Sequence, residues 1–266
     1  MKPHAASKST PVYPKEVSLA LYSIHYAHET YQHPGKLRWA HLRTTQLYLQ
    51  THANPTTASH NLQEHLLTIE KWLQKWKIKV NETKSSHITF TLRKDHCPAV
   101  SINQTFIQQV ESVKYLGLHF DRRLNWKQHI AKKRKQTDLK TKEINWLIGK
   151  KFNLFIENKL LIYKAVIKPI WTYGIELWGC ASKSNIVIMQ RSQSKILRAI
   201  ANAPQYVTYH TLHTDFNISY VSNVIHERIN KHFSKLESHP NPLLETLTQP
   251  LNSRRLKRRW NFDLHD

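Results

Sequence analysis

Arg122, Arg123, Lys127, Lys132, Lys133, Arg134, Lys135, Lys140 and Lys142 crowd one short stretch of the chain. Between residues 122 and 159, twelve lysines and arginines face three acids. Cations at that density suit phosphate, because each contact releases a condensed counterion and affinity accrues without any reading of sequence. On a helix, Lys132, Lys135 and Lys142 recur near one face, while Arg123, Lys127 and Arg134 fall towards another. Basic side chains are therefore expected to surround much of the cylinder. Six phosphate contacts would give a salt slope of roughly −5 on duplex. The plainer reading is a solvated charged face kept for solubility.

Other residue types offer less. His25/His28 and His210/His213 are spaced three apart, but neither pair has a third ligand at recognisable spacing and no Cys-x-x-Cys exists, so no metal centre is expected. Asp95, Asp121 and Asp138 are too scattered to nominate as an acid cluster. Trp126, Trp146, Trp171 and Trp178 could stack on bases, although aromatics at helical spacing usually belong to a core. The run Arg254-Arg255-Leu256-Lys257-Arg258-Arg259 could bind RNA or direct nuclear import. No P-loop, nucleophile elbow or glycine-rich dinucleotide turn occurs.

Composition points the same way. The 266 residues carry 40 Lys+Arg against 18 Asp+Glu, a formal charge of +22. That balance calls for a polyanionic partner, with RNA or DNA first, held by its phosphate backbone without sequence readout. A membrane surface is a weaker match, because the charge is spread along the chain and not gathered on one amphipathic helix. No run of 18 apolar residues is present, and Met1–Lys15 lacks the apolar centre of a signal peptide. Two cysteines, Cys97 and Cys180, suit a reducing compartment better than a disulfide scaffold. An intracellular protein is expected, with nucleus and cytoplasm both open.

The elements that must position these residues change character along the chain. After Asn54-Pro55, with Thr56 or Thr57 as cap, Leu62, Leu66, Ile69, Leu73 and Trp76 mark a helix over about 57–77. Period-two stretches predict strands at Ile78/Val80, at Ile88/Phe90/Leu92, at Val100/Ile102 and over 114–120, with Gly117 mid-strand at a bulge or close contact. From Trp126 the pattern turns helical. Helices are expected over about 125–149, 156–170 (ended or kinked by Pro169), 184–201 and 218–237. The fold class is therefore α+β: a small antiparallel unit followed by a helical one. The divisions fall at 1–54, poorly patterned and expected to be poorly ordered; 55–121, the α+β unit; 122–238, the helical unit; and 239–266, a basic tail.

Two strings are specific enough to carry a resemblance. They are Trp72-Leu73-Gln74-Lys75-Trp76-Lys77-Ile78-Lys79-Val80-Asn81-Glu82-Thr83-Lys84-Ser85, and Val113-Lys114-Tyr115-Leu116-Gly117-Leu118-His119-Phe120-Asp121 with Leu124-Asn125-Trp126 and His129-Ile130. Together with Leu160–Ile170 and Tyr173–Gly179, they resemble the C-terminal part of a reverse transcriptase from a jockey-type non-LTR retrotransposon. The first string is similar to that family's distal palm, the second to its palm–thumb junction, and the later ones to its thumb helices. The likeness covers roughly residues 51–266 and, more loosely, 12–50. There Val12-Tyr13-Pro14-Lys15-Glu16-Val17-Ser18 resembles a Gly-Val-Pro-Gln-Gly-Ser motif stripped of its glycines and glutamine. The resemblance implies a palm remnant followed by a thumb that tracks the phosphates of a primer–template duplex.

It also exposes a gap. The intact family holds two Mg²⁺ ions on aspartates, one of them upstream of any residue in this sequence and two in an Asp-Asp-Thr-Ala-Ile-like turn. Here that position reads Thr44-Thr45-Gln46-Leu47-Tyr48, and no acid lies between Glu29 and Glu64. Threonine hydroxyls are neutral and cannot offset two dications. Codons ACG ACA CAG CTA TAY after a G, moved back one base, read Asp-Asp-Thr-Ala-Ile. The stretch thus reads as the family's motif translated out of frame, with the frame restored near residues 51–55, and the coding DNA decides the point. Lys84 matches a palm lysine that would protonate departing pyrophosphate. Without metal-binding carboxylates it has nothing to assist and is expected to be idle.

The reading that results is a fragment of an RNA-directed DNA polymerase, derived from a nucleotidyltransferase. It is expected to be inactive alone, to carry no cofactor, and to retain nucleic-acid binding. Two alternatives stay open: a host-recruited nucleic-acid-binding or interaction module, and a polymerase completed in trans by another copy.

Overall fold

The computed structural model describes residues 26–28, 48, 54–90, 97–150 and 152–241. The Thr44-Thr45 position, the 12–24 motif, Asp95 and the Arg254–Arg259 run lie outside them. The chain divides into two compact units, with the break between Val113 and Lys114. Among the described residues both helix and strand are present, the strands in short two-stranded pairings.

In the first unit β1 (Tyr26–His28) precedes α1 (Pro55–Lys75). The cap of α1 is Asn54, two or three residues earlier than the Thr56 or Thr57 expected from sequence. Its side-chain oxygen accepts from the Thr56 N–H at 2.9 Å, and Pro55 occupies the first turn, where its missing N–H costs nothing. Leu62, Leu66 and Leu73 are buried, and Ile69 packs beside them. Trp76, expected on the same stripe, lies past the last turn and is 58 % exposed.

The strands β2 (Ile78–Val80), β3 (Ser86–His87), β4 (Ser101–Ile102), β5 (Thr105–Phe106) and β6 (Gln108–Gln109) are short. β1 pairs antiparallel with β2 and β4 with β5, whereas β3 and β6 pair in parallel. Ile88 and Phe90 are buried but lie just past β3 and not in a strand, which corrects the expected strand there; its third marker, Leu92, lies outside the described residues. Asn103 and Gln104, at φ 48° and 62°, form the two-residue turn between β4 and β5, and positive φ at both positions suits the right-handed twist of a hairpin. Gln63 on α1 holds β4 twice, donating to the Ser101 carbonyl at 3.0 Å and accepting from its N–H at 2.8 Å. Val80, Val100, Ile102 and Ile107 complete this core.

At the start of the second unit, the stretch read as one strand over 114–120 is a hairpin of β7 (Ser112–Tyr115), whose first two residues precede the break, and β8 (Leu118–Asp121). Leu116 and Gly117, at φ 45° and 79°, make its turn. The apolar alternation runs through the turn, which hid it. The helices follow: α2 (Lys127–Glu143), α3 (Asn145–Ile148), α4 (Ile156–Ile162), α5 (Lys168–Thr172), α6 (Ile175–Trp178), α7 (Lys183–Ala201), α8 (Tyr209–Asp215) and α9 (Val221–Glu237). The helix expected over 125–149 is broken at Ile144. A π-turn over Tyr163–Ile167 joins α4 to α5. It sits just before Pro169, whose ring would collide with the carbonyl four residues back in a regular helix, so the wider turn carries the helix past the proline.

Trp171, Trp178, Ile175, Val221, Ile225 and Ile229 form one core with Trp126 and Ile130. Tyr163, Ile167, Leu197 and Ile200 form a second with Ile148 and Ile218. Burial of Trp126, Trp171 and Trp178 corrects their candidacy as stacking platforms; Trp146 is 66 % exposed.

Candidate nucleic-acid interface

The basic helix α2 begins from a turn that one carboxylate organises. Asp121 accepts from the N–H groups of Asn125 at 2.7 Å, Trp126 at 2.8 Å and Arg123 at 3.2 Å. A carboxylate set against a helix start complements the dipole there. Trp126 leaves this turn at φ 60° and packs on Phe120, with ring centroids 5.2 Å apart. Arg122 and Arg123 ride on the turn, the former half-buried and the latter exposed.

α2 is not cationic all round. His129, Ile130 and Thr137 are buried, so the cations occupy the remaining arc. Lys127, Lys132, Lys135 and Lys142 are exposed. Lys133 lies at the edge of the buried face, its ammonium 4.8 Å from the Tyr173 ring centroid. Desolvation, then the neighbouring Lys114 charge, lowers its pKa. Two cations are paired: Arg134 with Asp138 at 3.5 Å, and Lys140 with Glu143 at 2.8 Å. Lys132 meets the His119 ring at 3.2 Å. Lys127, Lys135 and Lys142 have no ion pair among the described residues. This arrangement holds positive charge towards solvent over several turns of helix.

The remaining candidates have structural places. Lys84 ends a 3₁₀ turn (Glu82–Lys84) in the first unit and is exposed, its N–H bonded to the Asn81 side chain at 3.1 Å. His213 is buried, 2.7 Å from the Ile218 carbonyl through Nδ1 and stacked on Tyr220, while His210 is exposed. His25 lies outside the described residues.

Among the described residues no group of three or more His, Cys, Asp or Glu side chains gathers. Asp121 serves backbone N–H groups, and Asp138 is engaged by Arg134 and by the Ser192 hydroxyl at 3.0 Å. No helix among the described residues is long and apolar enough to cross a membrane.

Sequence comparison gives this surface a context. Over 207 residues, 78 % of the chain, it is 33 % identical to a probable RNA-directed DNA polymerase from transposon X-element of Drosophila melanogaster. Over 218 residues it is 32 % identical to the RNA-directed DNA polymerase from mobile element jockey of Drosophila funebris. Its counterpart in Drosophila melanogaster is 31 % identical over 216 residues. The chain spans about a quarter of the length of these relatives, between 23 % and 24 %. No family profile matches, and no solved structure matches.

Proposed function

We propose that this chain, a relative of the RNA-directed DNA polymerases of jockey-type mobile elements, is a reverse-transcriptase fragment that grips nucleic acid and does not extend it. Its first unit corresponds to distal palm and its second to thumb. The exposed arc of α2 carries the reading: Arg123, Lys127, Lys132, Lys135 and Lys142 face solvent from one turn and one helix. Such a helix tracks a phosphate backbone and positions a duplex without reading its bases.

Polymerase chemistry needs two divalent ions clamped by carboxylates, which stabilise both the attacking and the leaving oxygen. Thr44 and Thr45 supply none, and Lys84 has no leaving group to protonate. The chain alone carries no Mg²⁺ and transfers no nucleotide.

Fluorescence anisotropy with a labelled primer–template duplex tests the grip. The chain is expected to bind with a steep salt dependence, and Arg123→Gln/Lys127→Gln/Lys135→Gln to flatten the slope by about 2.7 if each cation meets one phosphate. A slope that the triple variant leaves unchanged would refute the reading. Primer extension with Mg²⁺ by the purified chain would refute its catalytic half.

A further inference from the structure

Helices α2 and α7 pack along one another and enclose an open cleft of about 450 Å³. Two cations reach it from each side: Arg134 and Lys142 from α2, Arg191 and Lys195 from α7. The spacing follows from helix geometry. Residues 134, 138 and 142 lie four apart on one face of α2, as 191 and 195 do on α7, so each ridge presents a cation about every 6 Å or its multiple. Asp138 is the acid in the cleft. The Ser192 hydroxyl donates to it at 3.0 Å and Arg134 sits 3.5 Å away, which holds the carboxylate against the α2–α7 seam. Ser192 itself is buried. Lys142, Arg191 and Lys195 are exposed and make no ion pair among the described residues.

Four cations against one engaged carboxylate repel one another in a concave site, where low-dielectric walls focus the field. A surface kept only for solubility would spread these charges. The cleft is too small to enclose a duplex, and its cation spacing is comparable with the separation of successive phosphates along one strand. Arginine adds a planar fork that meets two phosphate oxygens at once.

We infer that the α2–α7 cleft is a second phosphate-binding site, one that seats successive backbone phosphates of a single nucleic-acid strand. It shares Lys142 with the solvent arc of α2 and is set apart from it by Arg134 and by two residues of α7. The inference rests on the nucleic-acid reading above for the identity of its ligand. A free oligophosphate shares the recognised chemistry, so the experiment separates the two sources.

Binding of a labelled 20-nucleotide single strand is followed by anisotropy between 50 and 200 mM KCl for the full chain, for Arg191→Gln/Lys195→Gln, and for Arg123→Gln/Lys127→Gln/Lys135→Gln. Both variants alter exposed side chains, and equal thermal midpoints check the fold. The cleft variant is expected to bind more weakly, with a salt slope smaller by about 1.4 for two lost single-strand contacts. If it matches the unmodified chain in affinity and slope while the arc variant is weakened, the cleft inference is overturned and the arc reading survives. If the unmodified chain binds the primer–template duplex but no single strand, the cleft inference falls and the arc reading survives; if it binds neither, both fall. Calorimetry with sodium tripolyphosphate forms the second arm. Tripolyphosphate binding lost in the cleft variant, with strand binding untouched, overturns the strand assignment in favour of a free oligophosphate.

Discussion

The Tyr173 hydroxyl donates to the Leu116 carbonyl at 2.6 Å, across 57 residues of sequence. It fastens the α5–α6 corner to the β7–β8 turn, whose end leads into the basic helix. The same ring lies under the Lys133 ammonium, and a Cβ at Gly117 would come within 3.3 Å of it. Tyr173→Phe keeps the ring and removes the bond. The expected cost is about 1 kcal/mol of unfolding free energy, discounted towards 0.5 because the tyrosine is half exposed. Urea denaturation checks this: the midpoint falls with an unchanged slope. An unchanged midpoint would mean that water replaces the bond without loss.

Gly174 follows that tyrosine at φ 65°, and a Cβ there would fall 2.5 Å from a methyl of buried Leu118. Both the backbone conformation and the contact select glycine. Gly174→Ala is expected to destabilise the helical unit by about 1–3 kcal/mol. A thermal midpoint within a degree of the unmodified protein would contradict the assignment.

Two buried histidines make stability fall in mild acid. Desolvation holds His87 at a pKa of about 4. His129 is also held at about 4, by desolvation first and then by the charges of Lys133 and His119. His129 accepts from the His119 N–H at 3.3 Å through Nδ1, and its Nε2 has no partner among the described residues. In the unfolded chain each ring takes a proton near pH 6.5, while the folded chain resists until about 4. The unfolded state therefore binds more protons across that window. Stability is full above 6.5 and declines towards 4 by about 1.4 kcal/mol per pH unit for each ring. Denaturation between pH 6.5 and 5 isolates the effect from ordinary carboxylates. His129→Leu is expected to remove one proton from the dependence, and an equally steep curve for that variant would contradict the assignment.

The parts legible in sequence were those where one periodicity governs a long element. Leu62, Leu66 and Leu73 marked α1, and Ile225, Ile229 and Phe233 marked α9, because a single buried stripe decides each helix. The hairpin at Leu116-Gly117 was hidden, since Leu116, Leu118 and Phe120 alternate from the turn itself straight into the second strand. Helix α8 passed unseen because Tyr209–Asp215 is too short to display a period, although Thr208 caps it with a 3.1 Å bond to the Thr211 N–H. Among site residues, the α2 cations were legible as a charge run. Arg191 and Lys195 were not, because helix packing, and not sequence proximity, brings them to Arg134 and Lys142. A signal was present in their four-residue spacing, which places both on one face of α7.

Asp138 sets the charge of the cleft that those four cations share. Its carboxylate subtracts one charge where phosphate oxygens would sit, yet it also accepts the Ser192 hydroxyl at 3.0 Å. Asp138→Asn keeps a side-chain carbonyl for that hydroxyl while removing the negative charge and the ion pair with Arg134. The pair is about half exposed, so its loss costs at most a few tenths of a kcal/mol. Arg134 is then freed for a ligand, and repulsion of the incoming phosphate disappears. Single-strand affinity at 50 mM KCl is expected to rise severalfold, and the salt slope to steepen by about 0.7 as Arg134 gains one contact. Combining Asp138→Asn with Arg191→Gln/Lys195→Gln should erase most of that gain, because the strand then has half a cleft to occupy. A full gain in the combined variant would place the effect on the outer arc of α2 instead.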